Sequence, residues 1–240
     1  MRLEVKNLSK SYPQRKGWFA PKQPVLQNVS FQLEQGQSLA IVGESGSGKS
    51  TLARLIVGLE QPDSGQILCS QTNNKRPMSI VFQDYSLSIN PAMNVLQAVS
   101  EPLPSSFSAT QKQDCVAQAL QQVGLNPDLM WRYPQQLSGG QQQRVCLSRA
   151  LIHQAELIVL DEAVSALDVP NQLQILDLLL ELKQRHNLSY LFITHDLQAL
   201  CYLCQELIFL QQGHIVEQTS VQNLRFMQSD YAQKLLCAAS

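Results

Sequence analysis

The chain has 240 residues, of which 44% are hydrophobic and 15% are charged, and its formal net charge is −1. This length and hydrophobic share are sufficient for a sizeable core in one large domain. The nearly balanced charge gives no electrostatic reason to expect nucleic acid or an anionic membrane surface as a partner. No apolar stretch approaches the roughly 18 to 20 residues of a membrane span, and no signal-peptide core is visible, so we expect a cytoplasmic protein.

Short apolar runs recur along the chain and predict strands. The runs Leu3–Val5 and Val29–Leu33 predict an antiparallel layer near the N-terminus. Helical patterns separate several of the later runs, which lie at 38–42, 80–82, 157–160, 189–193 and 207–210. This alternation predicts an α/β fold with a mostly parallel sheet and helices on both of its faces.

The stretch G-E-S-G-S-G-K-S, from Gly43 to Ser50, lies between the predicted strand at 38–42 and a helical pattern that starts at Thr51. It is a complete phosphate-binding loop, in which glycines let backbone N–H groups turn toward a phosphate. Lys49 can place its charge on the β- and γ-phosphates, and Ser50 can offer its hydroxyl to Mg²⁺. We therefore expect a nucleotide to contact Gly43, Glu44, Ser45, Gly46, Ser47, Gly48, Lys49, Ser50 and Thr51.

The segment 94–136 lacks strand-like runs and predicts a small helical subdomain, because apolar residues repeat there at helical spacing: Val116, Ala119, Leu120 and Val123. The pentapeptide L-S-G-G-Q follows at Leu137–Gln141. Ser138 and Gln141 have the spacing of a capping box. A cap gives no reason for Gly139 and Gly140, each of which weakens a helix by about 1 kcal/mol relative to Ala. Together these residues predict a second anion site at a helix N-terminus.

The run L-I-V-L-D-E, from Leu157 to Glu162, predicts a buried strand that delivers two carboxylates to the carboxyl edge of the sheet. Asp161 would hold Mg²⁺ through water. Glu162 would orient or deprotonate an attacking water.

Taken together, the phosphate loop, the pentapeptide and the paired carboxylates resemble the ATP-binding subunits of ABC transporters, and the resemblance covers nearly all of the chain. It implies ATP hydrolysis coupled to membrane transport, with ATP and Mg²⁺ as ligands. Ser138, Gly139, Gly140 and Gln141 are then the signature motif, which contacts ATP.

The resemblance assigns further residues one at a time. Tyr12 matches the aromatic residue that stacks on adenine, and Gln83 matches the glutamine that contacts Mg²⁺ and the attacking water. His195 matches the switch histidine at the γ-phosphate. The stretch Ser165–Asp168 matches the loop that faces the partner subunit.

The resemblance also implies a domain plan and an assembly. We expect one ABC ATPase domain over 1–240, with a nucleotide-binding core at 1–93 and 157–240 and a helical subdomain at 94–156. Two ATPase subunits, identical or different, would close head to tail around two ATP molecules. Two integral membrane permeases would dock near Gln83–Met93 at the cytoplasmic face of the membrane. An extracytoplasmic substrate-binding protein would be an indirect partner, and nucleic acid would not be one.

Finer features are similar to the second ATPase subunit of the dipeptide, oligopeptide and nickel importers. These features are the insertion Arg15–Leu26 and the S-I-N-P stretch Ser88–Pro91. The stretches Asp161–Ser165 and Gln143–Leu147 are more similar to the nickel-type members, which favours nickel or metal-chelate import over peptide import. A basic segment of the relatives is replaced by Asn73–Pro77, so we expect a trimmed antiparallel layer.

Other functions remain as alternatives. A non-transport ABC ATPase usually carries a long coiled coil or two tandem cassettes, and a P-loop kinase has no need of the signature pentapeptide. The six cysteines include a C-x-x-C pair, Cys201 and Cys204, on a helical pattern. No second pair follows, so we expect buried thiols in a reducing compartment rather than a metal site.

Overall fold

The computed structural model describes residues 2–13, 21–69, 78–165 and 168–239. Residues 15–20 of the insertion and the predicted turn Asn73–Pro77 lie outside those ranges, as do residues 166–167 of the stretch Ser165–Asp168. The strands of the described residues are β1 (Leu3–Pro13), β2 (Lys22–Leu33), β3 (Ser38–Val42), β4 (Ser64–Cys69), β5 (Met78–Val81), β6 (Leu157–Asp161), β7 (Ser189–Ile193), β8 (Glu206–Gln211) and β9 (His214–Ser220).

The α-helices of the same residues are α1 (Lys49–Ile56), α2 (Tyr85–Ser88), α3 (Val95–Ser100), α4 (Ala109–Gln122), α5 (Gly139–Ile152), α6 (Val169–His186), α7 (Leu197–Leu203) and α8 (Asp230–Ala239). Short 3₁₀ helices lie at Pro127–Trp131, Pro134–Gln136 and Val221–Phe226. The described residues belong to two compact units, unit 1 within 1–72 and 189–240 and unit 2 within 73–188.

Unit 1 contains an antiparallel sheet and a set of mostly parallel strands. The antiparallel sheet has the order β2-β1-β4. In the second set, β3 pairs in parallel with β7 on one side and with β8 on the other, and β9 pairs antiparallel to β8. Every residue of β3 and β7 is buried, as expected for parallel strands that are covered on both faces.

Unit 2 contains one parallel strand pair, β5 and β6, with helices α2 to α5 between the two strands in the sequence and α6 after β6. The predicted apolar stripe of α4 is confirmed, because Val116, Ala119, Leu120 and Val123 are all buried. Helices α3, α4 and α5 each begin with a capping box, in which an Asn or Ser side chain and a Gln side chain bond each other's backbone N–H groups.

The α/β class with mostly parallel pairing and an N-terminal antiparallel layer is confirmed. The predicted strands 38–42 and 189–193 have the observed bounds, whereas β1 and β2 extend well beyond the predicted Leu3–Val5 and Val29–Leu33. Strands β4 and β9 were not predicted, because their side chains are exposed or half-buried and give a weak apolar signal. The domain plan of 1–93, 94–156 and 157–240 stays a prediction. Within the described ranges, none of the helices combines the length and apolar character that crossing a bilayer requires.

The cysteines differ in exposure, so the expectation of buried thiols is wrong for part of the set. Cys146 and Cys204 are buried, and burial raises the pKa of the Cys146 thiol to about 12. Cys201 and Cys237 are exposed. Helix α7 does bury one face, but Cys201 follows the buried Leu200 directly, and successive residues on a helix point in different directions.

The strand set of unit 1 generates a stability prediction. Phe209 is completely buried on β8, where its backbone pairs with Val42 of β3. We expect Phe209→Ala to lower the free energy of unfolding by about 3 to 5 kcal/mol, because it removes a large apolar side chain and leaves a cavity. Leu68→Ala on β4 is the control, since Leu68 is 41% exposed. Urea denaturation followed by circular dichroism measures both, and equal losses would contradict the proposed core.

Candidate functional site

The phosphate-binding loop of unit 1 leaves β3 at Val42 and enters α1 at Lys49. Its close packing requires glycine at both ends. A Cβ on Gly43 would lie 2.3 Å from the carbonyl oxygen of Leu210, and a Cβ on Gly48, whose φ is +108°, would lie 2.8 Å from the carbonyl oxygen of Val25. Both distances are far below van der Waals contact. Glycine at these two positions therefore lets the backbones of β2 and β8 pack directly against the loop and fix its path into α1.

Lys49 is already held in place within this loop. Its side chain is only 7% exposed, and its ammonium group donates hydrogen bonds to the carbonyl oxygens of Gly43 at 2.7 Å and Glu44 at 2.8 Å. Helix α1 has no side-chain cap at its N-terminus. A buried cation beside a helix N-terminus favours an anion at this position.

A buried hydroxyl in the loop also fits a polar ligand. Ser47 is 5% exposed, and its Oγ has no hydrogen-bond partner among the described residues. Buried polar atoms of this kind usually bind water, an ion or a ligand group. Glycine, a pre-positioned lysine and a buried hydroxyl together fit the phosphates of a nucleotide.

A tyrosine that the sequence analysis missed supports the loop from α8. The Glu44 backbone N–H donates to the Tyr231 hydroxyl at 2.9 Å, and that hydroxyl also lies 3.5 Å from the Leu210 carbonyl oxygen. Partial burial raises the pKa of Tyr231. No local pattern could have revealed this contact, because Tyr231 and Glu44 are 187 residues apart in the sequence.

His195 lies at the same edge of unit 1 as the loop. Ile41 of β3 is in register with Ile193 of β7, so Gly43 and His195 each stand two residues beyond a paired position. His195 is exposed. Parallel pairing therefore brings the predicted switch histidine to the strand edge where the phosphate loop begins.

Tyr12 lies near the end of β1 and is held by charged neighbours. Its hydroxyl donates a hydrogen bond to a carboxylate oxygen of Glu60, and Arg54 Nε binds the other oxygen at 2.7 Å. The bond from Tyr12 is the main cause that lowers the pKa of Glu60. The Lys10 ammonium lies 5.4 Å from the centroid of the Tyr12 ring. The sequence analysis identified Tyr12 and missed Glu60 and Arg54, whose contact with it depends on folding.

In unit 2, parallel pairing brings Gln83 and the two predicted carboxylates together. Val81 of β5 is in register with Leu160 of β6, so Gln83 and Glu162 each lie two residues beyond that pair. Gln83 is exposed, Glu162 is partly exposed, and Asp161 is 7% exposed at the end of β6. Glu162 has a φ of 51°, an uncommon conformation for a residue other than glycine.

The signature turn of unit 2 has the predicted capping box. Ser138 Oγ accepts a hydrogen bond from the Gln141 backbone N–H at 3.3 Å, and Gln141 Oε1 accepts one from the Ser138 backbone N–H at 2.9 Å. The two glycines differ in their surroundings. A Cβ on Gly139 would lie 3.0 Å from the Tyr85 hydroxyl, whereas a Cβ on Gly140 would have no described atom within 4 Å other than those of its chain neighbours and its own helix backbone.

The structure thus groups the predicted site residues in two sets. Unit 1 holds Tyr12, residues 43–51 and His195, and unit 2 holds Gln83, Ser138–Gln141, Asp161 and Glu162. The Mg²⁺-binding roles of Ser50, Gln83 and Asp161 stay predictions; each side chain by itself offers a hard oxygen atom, the kind of ligand that Mg²⁺ prefers.

Comparison with known proteins agrees with these features. A probable peptide ABC transporter ATP-binding protein of Sinorhizobium fredii, y4tS, is 41% identical over 231 residues, which span 90% of this chain and 65% of y4tS. The metal-staphylopine import system ATP-binding protein CntF of Staphylococcus aureus is 39% identical over 247 residues, which span 98% of this chain and 97% of CntF.

A solved structure is similar over most of the chain. The ATP-binding cassette MJ0796, solved as a dimer in a post-hydrolysis state with ADP and Pi, aligns with a TM-score of 0.78 and 26% identity over 91% of this chain and 98% of that one. The ABC transporter family itself matches residues 26–165. The chain therefore belongs to the ABC transporter family and carries its ATPase domain.

Proposed function

We propose that this chain is the ATP-hydrolysing subunit of an importer for nickel or another metal chelate. The observation that carries the proposal is the phosphate loop of unit 1. The Lys49 ammonium is buried there, 2.7 Å from the Gly43 carbonyl oxygen, and the glycines of the loop are closely packed by neighbouring backbone. The metal-staphylopine protein CntF, similar over 98% of this chain, supports the metal chelate.

Peptide import is the second candidate, because y4tS is a probable peptide transporter protein. Deletion of the gene followed by uptake of labelled nickel and of a labelled dipeptide distinguishes the two. Loss of nickel uptake alone supports the metal chelate, and loss of dipeptide uptake alone supports the peptide. Unchanged uptake of both contradicts the proposed import function.

We assign the following roles to the residues. Residues 43–51 bind the phosphates, with Lys49 neutralising charge on the β- and γ-phosphates. Ser50, Gln83 and Asp161 would hold Mg²⁺, which would withdraw charge from the phosphate oxygens. Glu162 orients or deprotonates the attacking water, His195 binds the γ-phosphate, and Tyr12 stacks on the adenine.

A head-to-tail dimer around two ATP molecules is part of the proposal. Gly140 supports it, because nothing in the described chain approaches its Cβ position, while glycine there costs about 1 kcal/mol of helix stability relative to Ala. A group from outside the chain that closely approaches the backbone would explain this residue. In the dimer the Ser138–Gly140 turn would meet the partner's ATP, and MJ0796 was solved as a dimer. Two integral membrane permeases would complete the importer, and this chain would bind them at the cytoplasmic face of the membrane.

Substitution of Lys49 tests nucleotide binding. We expect Lys49→Ala to weaken ATP binding by about 1.5 to 3 kcal/mol, or about 10- to 150-fold, because it removes a charge-assisted contact with the phosphates. Lys234→Ala is the control, since Lys234 is exposed on α8. Isothermal titration with ATP measures both. Equal affinity of Lys49→Ala and the wild type would rule out the assigned phosphate site.

Substitution of Tyr12 tests the base contact. We expect Tyr12→Ala to weaken ATP and GTP alike by about 1 to 3 kcal/mol, because an aromatic face stacks on any purine. Tyr12→Phe keeps the ring and loses only the hydroxyl bond to Glu60, so its affinity should remain closer to that of the wild type. Titration of each variant with both nucleotides gives the comparison. Wild-type affinity of Tyr12→Ala would exclude stacking.

Substitution of Glu162 tests the water-activating role and the dimer. Glu162→Gln keeps the side-chain shape and removes its charge, so ATP should bind and close the dimer but remain unhydrolysed. Sedimentation velocity with and without ATP should detect an ATP-dependent dimer of Glu162→Gln, alone or with a second ATPase subunit and permeases. The same assay on Ser138→Arg should show no closure. Full-rate hydrolysis by a wild-type monomer would contradict the head-to-tail mechanism.

A further inference from the structure

Glu162 has a backbone conformation that must be held by its surroundings. Its φ of 51° lies in the left-handed region. That conformation costs a residue with a Cβ roughly 1 to 2 kcal/mol, and such strain persists only where the neighbouring structure fixes it.

One constraint comes from within the turn that follows. The backbone N–H of Ser165 donates to the Glu162 carbonyl oxygen at 3.2 Å, and Ser165 Oγ donates to the same oxygen at 2.9 Å. These two bonds close the turn from Glu162 to Ser165. They do not connect the turn to the rest of unit 2.

A second constraint connects the turn to α5. Gln143 Nε2 donates a hydrogen bond to the carbonyl oxygen of Ala163, the residue directly after Glu162. Gln143 is 1% exposed and Ala163 is 4% exposed, so water does not compete for this bond. The bond joins the helix that begins with the signature turn to the residue next to the proposed water-activating carboxylate.

The Gln143 amide uses only one of its two polar ends. Only the amide N–H₂ can donate to a carbonyl oxygen, so Oε1 must point elsewhere, and it has no hydrogen-bond partner in the described part of the chain. Burying that acceptor costs about 1 to 3 kcal/mol, and an apolar side chain at this position would instead leave the buried Ala163 carbonyl oxygen without its donor, at a similar cost. The contact with the turn is therefore what distinguishes glutamine from an apolar residue here.

We propose that Gln143 is a positioning residue for Glu162. By binding the Ala163 carbonyl oxygen from α5, it holds the backbone in the left-handed conformation that aims the Glu162 carboxylate at the attacking water. The inference rests on the water-activating role of Glu162 that is proposed above. It adds a residue of the signature helix, outside the signature pentapeptide, to the machinery of hydrolysis.

The test compares Gln143→Met with Ser148→Ala. Methionine keeps the length of glutamine and removes the donor. Ser148 is equally buried on α5, but its hydroxyl bonds only the Val145 carbonyl oxygen of the same helix, at 2.8 Å. In the assembled transporter, we expect Gln143→Met to lower kcat about ten- to hundredfold, as misplacement of a reacting group does, with KM for ATP changed less than about twofold. Ser148→Ala should keep the wild-type kcat.

Hydrogen exchange of the isolated chain provides a readout that does not depend on activity. Amides of residues 161–165 should exchange faster in Gln143→Met than in the wild type and Ser148→Ala. If Gln143→Met does not fold, Gln143→Asn replaces it, because the shorter side chain keeps an amide and withdraws the donor from the Ala163 carbonyl oxygen. Gln143→Asn should accelerate exchange at the same residues. Unchanged exchange in every folded variant would overturn the proposal.

A double-mutant cycle separates this inference from the function on which it rests. If Glu162→Gln lowers kcat and Gln143→Met lowers it no further in that background, the two residues act through one group. Additive losses, or a wild-type kcat for Gln143→Met in a chain where Glu162→Gln is inactive, would overturn the role of Gln143 alone. A fully active Glu162→Gln would overturn the role of Glu162, and that of Gln143 with it.

Discussion

Parallel pairing of strands in register is the constraint on which the positions of the candidate residues depend. Because Ile41 pairs with Ile193 and Val81 pairs with Leu160, the residues two positions beyond each of these paired residues fall at a common edge within their own unit. His195 and Gly43 share one such edge, and Gln83 and Glu162 share another. A shift of either register by one residue would move each side chain to the opposite face of its strand, disrupt the packing on both faces and offset these pairs. The paired strands thus fix the positions of the candidate residues, which lie just beyond the strand ends.

Several unfavourable local features lie near the candidate residues. Lys49 is a buried cation, Ser47 Oγ and Gln143 Oε1 are buried without partners among the described residues, and Glu162 has a left-handed backbone. Each feature taken alone lowers stability. Buried polar groups of this kind on the phosphate loop and beside the paired carboxylates are typical of a site that is prepared for a ligand and a reaction.

The sequence predicted the features that depend on short-range patterns. Local periodicity or spacing was sufficient to predict several elements: the strands at 38–42 and 189–193, the apolar stripe of α4 and the capping box at Ser138. Contacts between distant segments were not readable. Glu60 reaches Tyr12, Tyr231 reaches Glu44 and Gln143 reaches Ala163 only after folding. Strand β9 was not predicted, because its sequence H-I-V-E-Q-T-S has no regular alternation of apolar and polar residues.

The two glycines of the signature turn differ in what alanine would do at each position. A Cβ on Gly139 would lie 3.0 Å from the Tyr85 hydroxyl of the same chain, so alanine there requires the Tyr85 side chain to shift. Alanine at Gly140 meets nothing in the described chain and would raise helix propensity by about 1 kcal/mol. A search for thermostable variants of the isolated chain would therefore accept alanine at position 140 as an improvement. Selection on melting temperature alone would therefore favour a more stable helix at the cost of the surface that the proposed dimer requires.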